Sequence, residues 1–340
     1  MTKERIAYID FMKGLCILLI AMKHVSGGAF FDSILPNLDV ALKCFRVPLY
    51  FFLSGIFFKT YEGFSVFARK KVNNLIITLL FFHFLCCLLK VPLIAIVQAF
   101  RPDIGMNFKP IDIIPPFFTR FWRSAMALWF LVALFGCNIL FYIYQKYFNR
   151  IGTCFAVFFS SLLGFILMKR NVSLPFVLDA ALVGLPYFWL GSLVKQHHFL
   201  ESTKYDRWGY CVFIPCLVFV YFFSGRIDLL CQIVPNYFQL YFVPFIAILS
   251  LFWLCKNLSY VPLICYYGRY SVIILGTHQV LIAYVYFTLR GIFPISGNLL
   301  YVVIFTVVMV IEFYLIKYMI KYFPRFTAQE EFFKSGWKLS

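Results

Sequence analysis

Apolar runs of membrane-crossing length recur along almost the whole chain, and they leave few folds open to it. About 20 consecutive apolar residues suffice for a helix to cross the hydrocarbon core of a bilayer. About ten stretches approach or meet that length: 11–31, 45–58, 75–97, 125–145, 153–168, 174–194, 208–224, 237–255, 271–289 and 298–318. The second and fifth are short. With 63% hydrophobic residues against roughly half in a soluble domain, the chain reads as an all-α, polytopic membrane bundle of about ten transmembrane helices. Residues 1–325 are expected to form one transmembrane domain and 326–340 a short cytoplasmic tail. The first run lacks a small-residue cleavage pattern after it, so it reads as a retained span. No repeat of 20 to 50 residues is apparent. The long polar connection 98–124, with Pro102, Pro110, Pro115 and Pro116, is expected to lie along the interface.

A net charge of +17 would suggest nucleic acid in a soluble protein. Here the basic residues cluster at the ends of apolar runs, where they set orientation and meet anionic lipid heads. Placing the N-terminus inside puts 19 Lys and Arg on the cytoplasmic side against 10 opposite, with Lys23 and Lys90 inside spans. The bias predicts an N-in, C-in topology. The 11 cysteines are scattered among the apolar runs, without CxxC pairs or histidines at metal spacing, so no metal site and no disulfide framework are expected.

Ionisable groups inside spans are expensive and mark function by default. In "RIAYIDFMKGLCILLIAMKHV", Lys13 and His24 are eleven residues apart, which on a helix is one stripe about 16 Å long. Asp10 falls near the same stripe and can pair with Lys13. Lys23 points about 100° away and can snorkel to the surface. His278 and Glu312 sit at similar depths in the last two spans and can meet. Arg46 and Asp179 lie towards the outer ends of their spans, and His83 and Lys90 occupy the third. Each alone is explained as well by structural pairing; their concentration across spans points to a polar chamber. The loop "FARKKVNN" adds Arg69, Lys70 and Lys71 to Lys13 at one mouth, a set suited to phosphate and equally to membrane anchoring.

Six stretches in order, "RIAYIDFMKGLCILLIAMKHV", "RVPLYFFLSGIFFK", "FARKKVNNLII", "ALWFLVALF", "LPYFWLGSLVK" and "GRYSVIILGTHQVLI", resemble the acyltransferase 3 family of bacterial integral-membrane O-acyltransferases, closest to its fucose 4-O-acetylase-like group. The resemblance runs from Arg5 to about Leu315. It implies transfer of an acyl group, usually acetyl from acetyl-CoA, to a hydroxyl of a cell-envelope glycan or lipid-linked sugar, in the bacterial inner membrane and without a metal. It also implies that His24 is catalytic, with the late-span histidine at His278 and the motif serine at Ser54. Arg5, Lys13, Arg69, Lys70 and Lys71 would hold the CoA phosphates. Asp10, Arg46, Trp129, Asp179 and Glu312 are the candidates for holding acceptor. Asn74 stands where the family usually has a second basic residue, and Thr78 where it has proline. Two rival readings remain: a carrier using an intramembrane His/Asp/Glu relay, and a structural subunit of a glycan-assembly complex.

Overall fold

A computed structural model of the chain describes residues 6–61, 63–100, 109–122, 124–197, 199, 209–257, 261–292 and 296–333. Arg5 lies outside the described residues. The helices are α1 (Ala7–Ser26), α2 (Ala29–Ile34), α3 (Leu38–Ile56), α4 (Phe64–Lys71), α5 (Thr78–Phe100), α6 (Trp129–Tyr147), α7 (Arg150–Lys169), α8 (Leu178–Gln196), α9 (Gly209–Phe223), α10 (Tyr237–Asn257), α11 (Pro262–Arg269), α12 (Ser271–Ile292) and α13 (Gly297–Tyr322). Among the described residues there is no strand; one isolated bridge joins Asp228 and Ile233.

Among the described residues, seven helices are long and apolar enough to cross a membrane: the continuous α4–α5 rod, α6, α7, α8, α10, α12 and α13. Three of the expected ten fall outside that set. The helix α9 is described over 15 residues, Gly209–Phe223, fewer than a span needs. The other two, α1 and α3, have the length, with 20 and 19 residues, but each carries three fixed charges: Asp10, Lys13 and Lys23 on one, Asp39, Lys43 and Arg46 on the other. Both are buried among their neighbours rather than facing outward. Run 45–58 looked short because its first turns are polar, and α3 begins at Leu38. Run 153–168 is likewise extended, to 20 residues, by an Asn149 side chain that accepts from the Gly152 N–H and caps α7.

Small residues set the closest helix crossings, as expected where helices pack without a hydrophobic driving force. Gly55 on α3 faces the Phe188 carbonyl of α8, and Gly191 on α8 faces the Phe52 carbonyl of α3; a Cβ at either would overlap that oxygen. Gly14 and Gly268 make the same close approach between α1 and α11, Gly268 against the Asp10 carbonyl. The glycines of "LSG" and "WLGS" are therefore packing residues.

Two departures from an ordinary bundle flank the interior. Between α4 and α5 the backbone is π-helical over Val72–Ile77, ending at Thr78, so the α-ladder is interrupted here with no proline present. In the described part of the 98–124 connection Trp122 is fully buried and Arg120 is 5% exposed, while Ile111, Ile114, Phe118 and Phe121 are exposed. His83 tethers this segment to α5, its ring nitrogens 2.7 Å from Ser124 Oγ and 3.0 Å from the Ile113 carbonyl. Residues 324–333 fold back onto the bundle, with Thr327 fully buried and Phe326 stacked on Phe81.

Candidate functional site

A Gly27–Gly28 pair with φ of 64° and 104° ends α1 and turns the chain back towards α3. A Cβ on Gly28 would collide with Asp39 and Lys23, so this reversal packs the charged start of α3 beside His24. There Asp39 bridges two cations: Oδ2 accepts from Lys23 Nζ at 2.9 Å and Oδ1 from Arg46 Nη2 at 2.9 Å. Arg46, 3% exposed, also donates to the Leu19 carbonyl at 3.1 Å. One turn away, Lys43 Nζ lies 2.6 Å from Asp228 Oδ2. Burial opposes ionisation of Asp228, but the hydrogen bond and charge of Lys43 outweigh it and hold the carboxyl below the usual aspartate range.

Lys23, Lys43, Arg46 and Asp228, with Asp39 behind them, border a distal cavity of about 270 Å³, close to the lower end of the range for small-ligand sites, about 300 Å³. His24, Lys23, Lys43, Arg46, Asp228 and Trp129 stand on its wall. A proximal cavity of about 190 Å³ is lined by Lys13, Ser54, Asn74 and Ala328. Tyr50, Phe130 and Leu275 line both, so the two cavities abut at these three side chains. The stripe expected on α1 thus holds: Lys13 opens onto one chamber and His24 onto the next. A third cavity, about 560 Å³, also touches His24 and is lined by Lys90, Ser124 and Gln279.

His24 is an exposed side chain standing where two cavities meet. The amide nitrogen of Gln279 lies 3.2 Å from its Nδ1 and 3.3 Å from its Nε2. The amide oxygen of Gln279 in turn accepts from the Ala127 N–H at 3.3 Å. That second bond assigns the NH2 group to the imidazole side. Behind His24, the His278 ring lies 5.1 Å away centroid to centroid and is fully buried. Its Nδ1 is 2.6 Å from the Ile274 carbonyl and so carries a proton, which leaves Nε2 as a lone pair with no partner among the described residues.

The remaining candidates are distributed more widely. Ser54 lines the Lys13 cavity and not the His24 cavity, which separates it from the base that would activate it. Asp10 lines neither cavity and makes no ion pair with Lys13; its backbone meets Gly268. Lys13 Nζ lies 4.6 Å from the centre of the Phe57 ring. Lys70 pairs with Glu331 at 3.2 Å, Lys71 lies over the Phe67 ring, and Arg69 is half-buried one turn before Asn74. Glu312 is fully buried and meets Thr277 Oγ1 at 2.7 Å, not His278.

Asp179 is the clearest correction. It is fully buried and pairs with Arg120, while Gln232 donates to it at 3.3 Å. Arg120 also donates to the Leu230 and Leu229 carbonyls at 3.1 and 2.9 Å. Asp179 therefore holds the 227–231 segment over the distal cavity and has no oxygen facing it. Among the residues of the candidate site missed from sequence, Gln279 left one signal, an amide beside His278 in an apolar span. Lys43, Asp228 and Tyr50 left none, because their partners are remote in the chain.

A polar, two-sided chamber around one accessible imidazole can relay a proton between a hydroxyl and a leaving group. Neither a curated protein nor a solved structure matches the chain. A family model described as an acyltransferase domain matches residues 6–318 of 340. The match spans α1 to most of α13, including Lys13, His24 and Gln279, and the chain belongs to the acyltransferase 3 family.

Proposed function

We propose that this membrane acyltransferase moves an acetyl group from acetyl-CoA onto a hydroxyl of a cell-envelope glycan, in the inner membrane of a bacterium. The observation that carries the reading is the position of His24 on the wall of the distal cavity, which abuts at Tyr50, Phe130 and Leu275 the chamber onto which Lys13 opens. With the N-terminal face of α1 towards the cytosol, CoA phosphates meet Lys13 and the Arg69–Lys71 turn. The thin pantetheine arm then passes Tyr50, Phe130 and Leu275 to bring its thioester to His24. The acceptor occupies the distal cavity itself, beyond those three side chains.

His24 takes the proton of the acceptor hydroxyl as its oxygen attacks the thioester carbonyl. Collapse of the tetrahedral intermediate breaks the C–S bond, and His24 returns the proton to the CoA thiolate. In the resting site the Gln279 NH2 covers the ring, and the acceptor hydroxyl replaces it at the imidazole lone pair before the proton moves. A carrier would need no acyl donor and leaves its solute unmodified, so labelled acetyl-CoA separates the readings. In membranes holding the protein, transfer of label to glycan is expected to fall about 10²- to 10⁴-fold in His24→Ala. Undiminished transfer by a variant present at normal abundance would refute the assignment.

A further inference from the structure

The wall of the distal cavity holds more cations than its own carboxylates balance. Lys23, Lys43 and Arg46 face the chamber, against Asp228 on the wall and Asp39 behind it. Both oxygens of Asp39 are taken, one by Lys23 and one by Arg46, and Asp228 is shared between Lys43 and the Cys231 N–H. Three cations thus share two carboxylates. Two exposed groups nearby, Asp32, which accepts from the Asp39 N–H, and Arg226, oppose each other and are screened by water. An uncompensated positive charge in a partly desolvated chamber is costly, and an entering anion relieves it. CoA phosphates do not fill this role, because the rim assigned to them lies about 16 Å away along α1.

We infer that the acceptor carries a fixed negative group, either a sugar-acid carboxylate or the phosphate that links a sugar to its carrier. Lys43, Lys23 and Arg46 hold that group and turn a neighbouring hydroxyl towards His24. The inference rests on the acyl-transfer reading and deepens it by naming the charge of the acceptor.

Cys231, an exposed thiol on the same wall, reports the local potential. In a protein carrying Cys154→Ser, Cys211→Ser and Cys216→Ser, the remaining cysteines apart from Cys231 are buried. Its labelling by an anionic and by a cationic methanethiosulfonate is measured, each rate normalised to that of a free thiol. The anionic reagent should win by roughly three- to tenfold. Lys43→Met should bring the ratio towards one, and Asp228→Asn should raise it further. Changes in thiol ionisation cancel in the ratio. Glucuronate or glucose 1-phosphate should slow labelling, and the more effective of the two tells carboxylate from phosphate; glucose should not. A ratio at or below one, indifference to both variants, or equal protection by glucose overturns the inference. Acetyl transfer measured in the same membranes keeps the two readings apart: transfer that persists without the charge effect removes this inference alone, and a charge effect without transfer removes the acyl-transfer reading and with it the acceptor, leaving an anion-binding chamber.

Discussion

At the scale of single residues, His24 gains its role from what surrounds it rather than from its place in an apolar helix. The ring stands at the edge of two cavities, with one amide in front and one buried imidazole behind. Gln279 is the positioning residue, since the Ala127 N–H fixes its oxygen and leaves its NH2 for the ring. Gln279→Leu keeps the volume and removes both bonds. We expect kcat to fall about tenfold to a hundredfold with little change in either KM, while Gln279→Asn, too short to span both partners, falls between. An unchanged kcat would show the amide to be a bystander. Ser54 makes the contrast. It sits in the Lys13 chamber, so Ser54→Ala should cost far less transfer than His24→Ala, which a serine nucleophile would reverse.

At the scale of helices, the crossing of α3 and α8 is set by two glycines that each face a carbonyl of the other helix. Gly55→Val or Gly191→Val forces the pair apart, and thermal unfolding in detergent should report a loss of about 1–3 kcal/mol. Gly63→Ala, where a Cβ meets open space, separates packing from backbone effects: its positive φ of 90° alone costs stability there, so a smaller loss is expected. The helices themselves were legible as apolar runs, because lipid and a membrane interior ask only for length and hydropathy. The charges within α1 and Arg46 on α3 were legible too, whereas Asp39 and Lys43 precede the run read as the second span. The partners of those charges were not. Arg120 and Asp179 are 59 residues apart and Lys43 and Asp228 are 185 apart, with no periodicity to connect them. The π-helical turn was equally silent, since Asn73 and Asn74 read as loop residues until the chain end is seen to meet them.

At the scale of the whole molecule, the chamber is closed at both ends by segments that read as connections. The distal closure is the 227–231 segment, held by Arg120–Asp179 and by Lys43–Asp228. Asp228 titrates below its unfolded value, so its contribution is complete above the ordinary aspartate range and is lost as pH falls through the lower folded value. Labelling of Cys231 by a neutral maleimide, corrected for thiolate fraction, should therefore stay flat from pH 8 to 5, and Asp228→Asn should raise it across that range. The proximal closure is the chain end. Asn73 donates to the Phe333 carbonyl at 3.1 Å and accepts from its N–H at 3.0 Å, a two-bond clasp from the π-helical turn, with Lys70–Glu331 beside it. Ala328 of the same segment lines the Lys13 cavity. Asn73→Ala removes both bonds and leaves two backbone groups to find water, at a cost of about 1–3 kcal/mol to the local closure. Hydrogen exchange over residues 326–333 should speed up about tenfold or more while α1 and α8 stay protected. Because the loosened segment walls the chamber proposed for the donor and not the one proposed for the acceptor, KM for the acyl donor should shift severalfold and KM for the acceptor should hold. Equal shifts in both would mean that the clasp stabilises the bundle as a whole instead of closing one of its mouths.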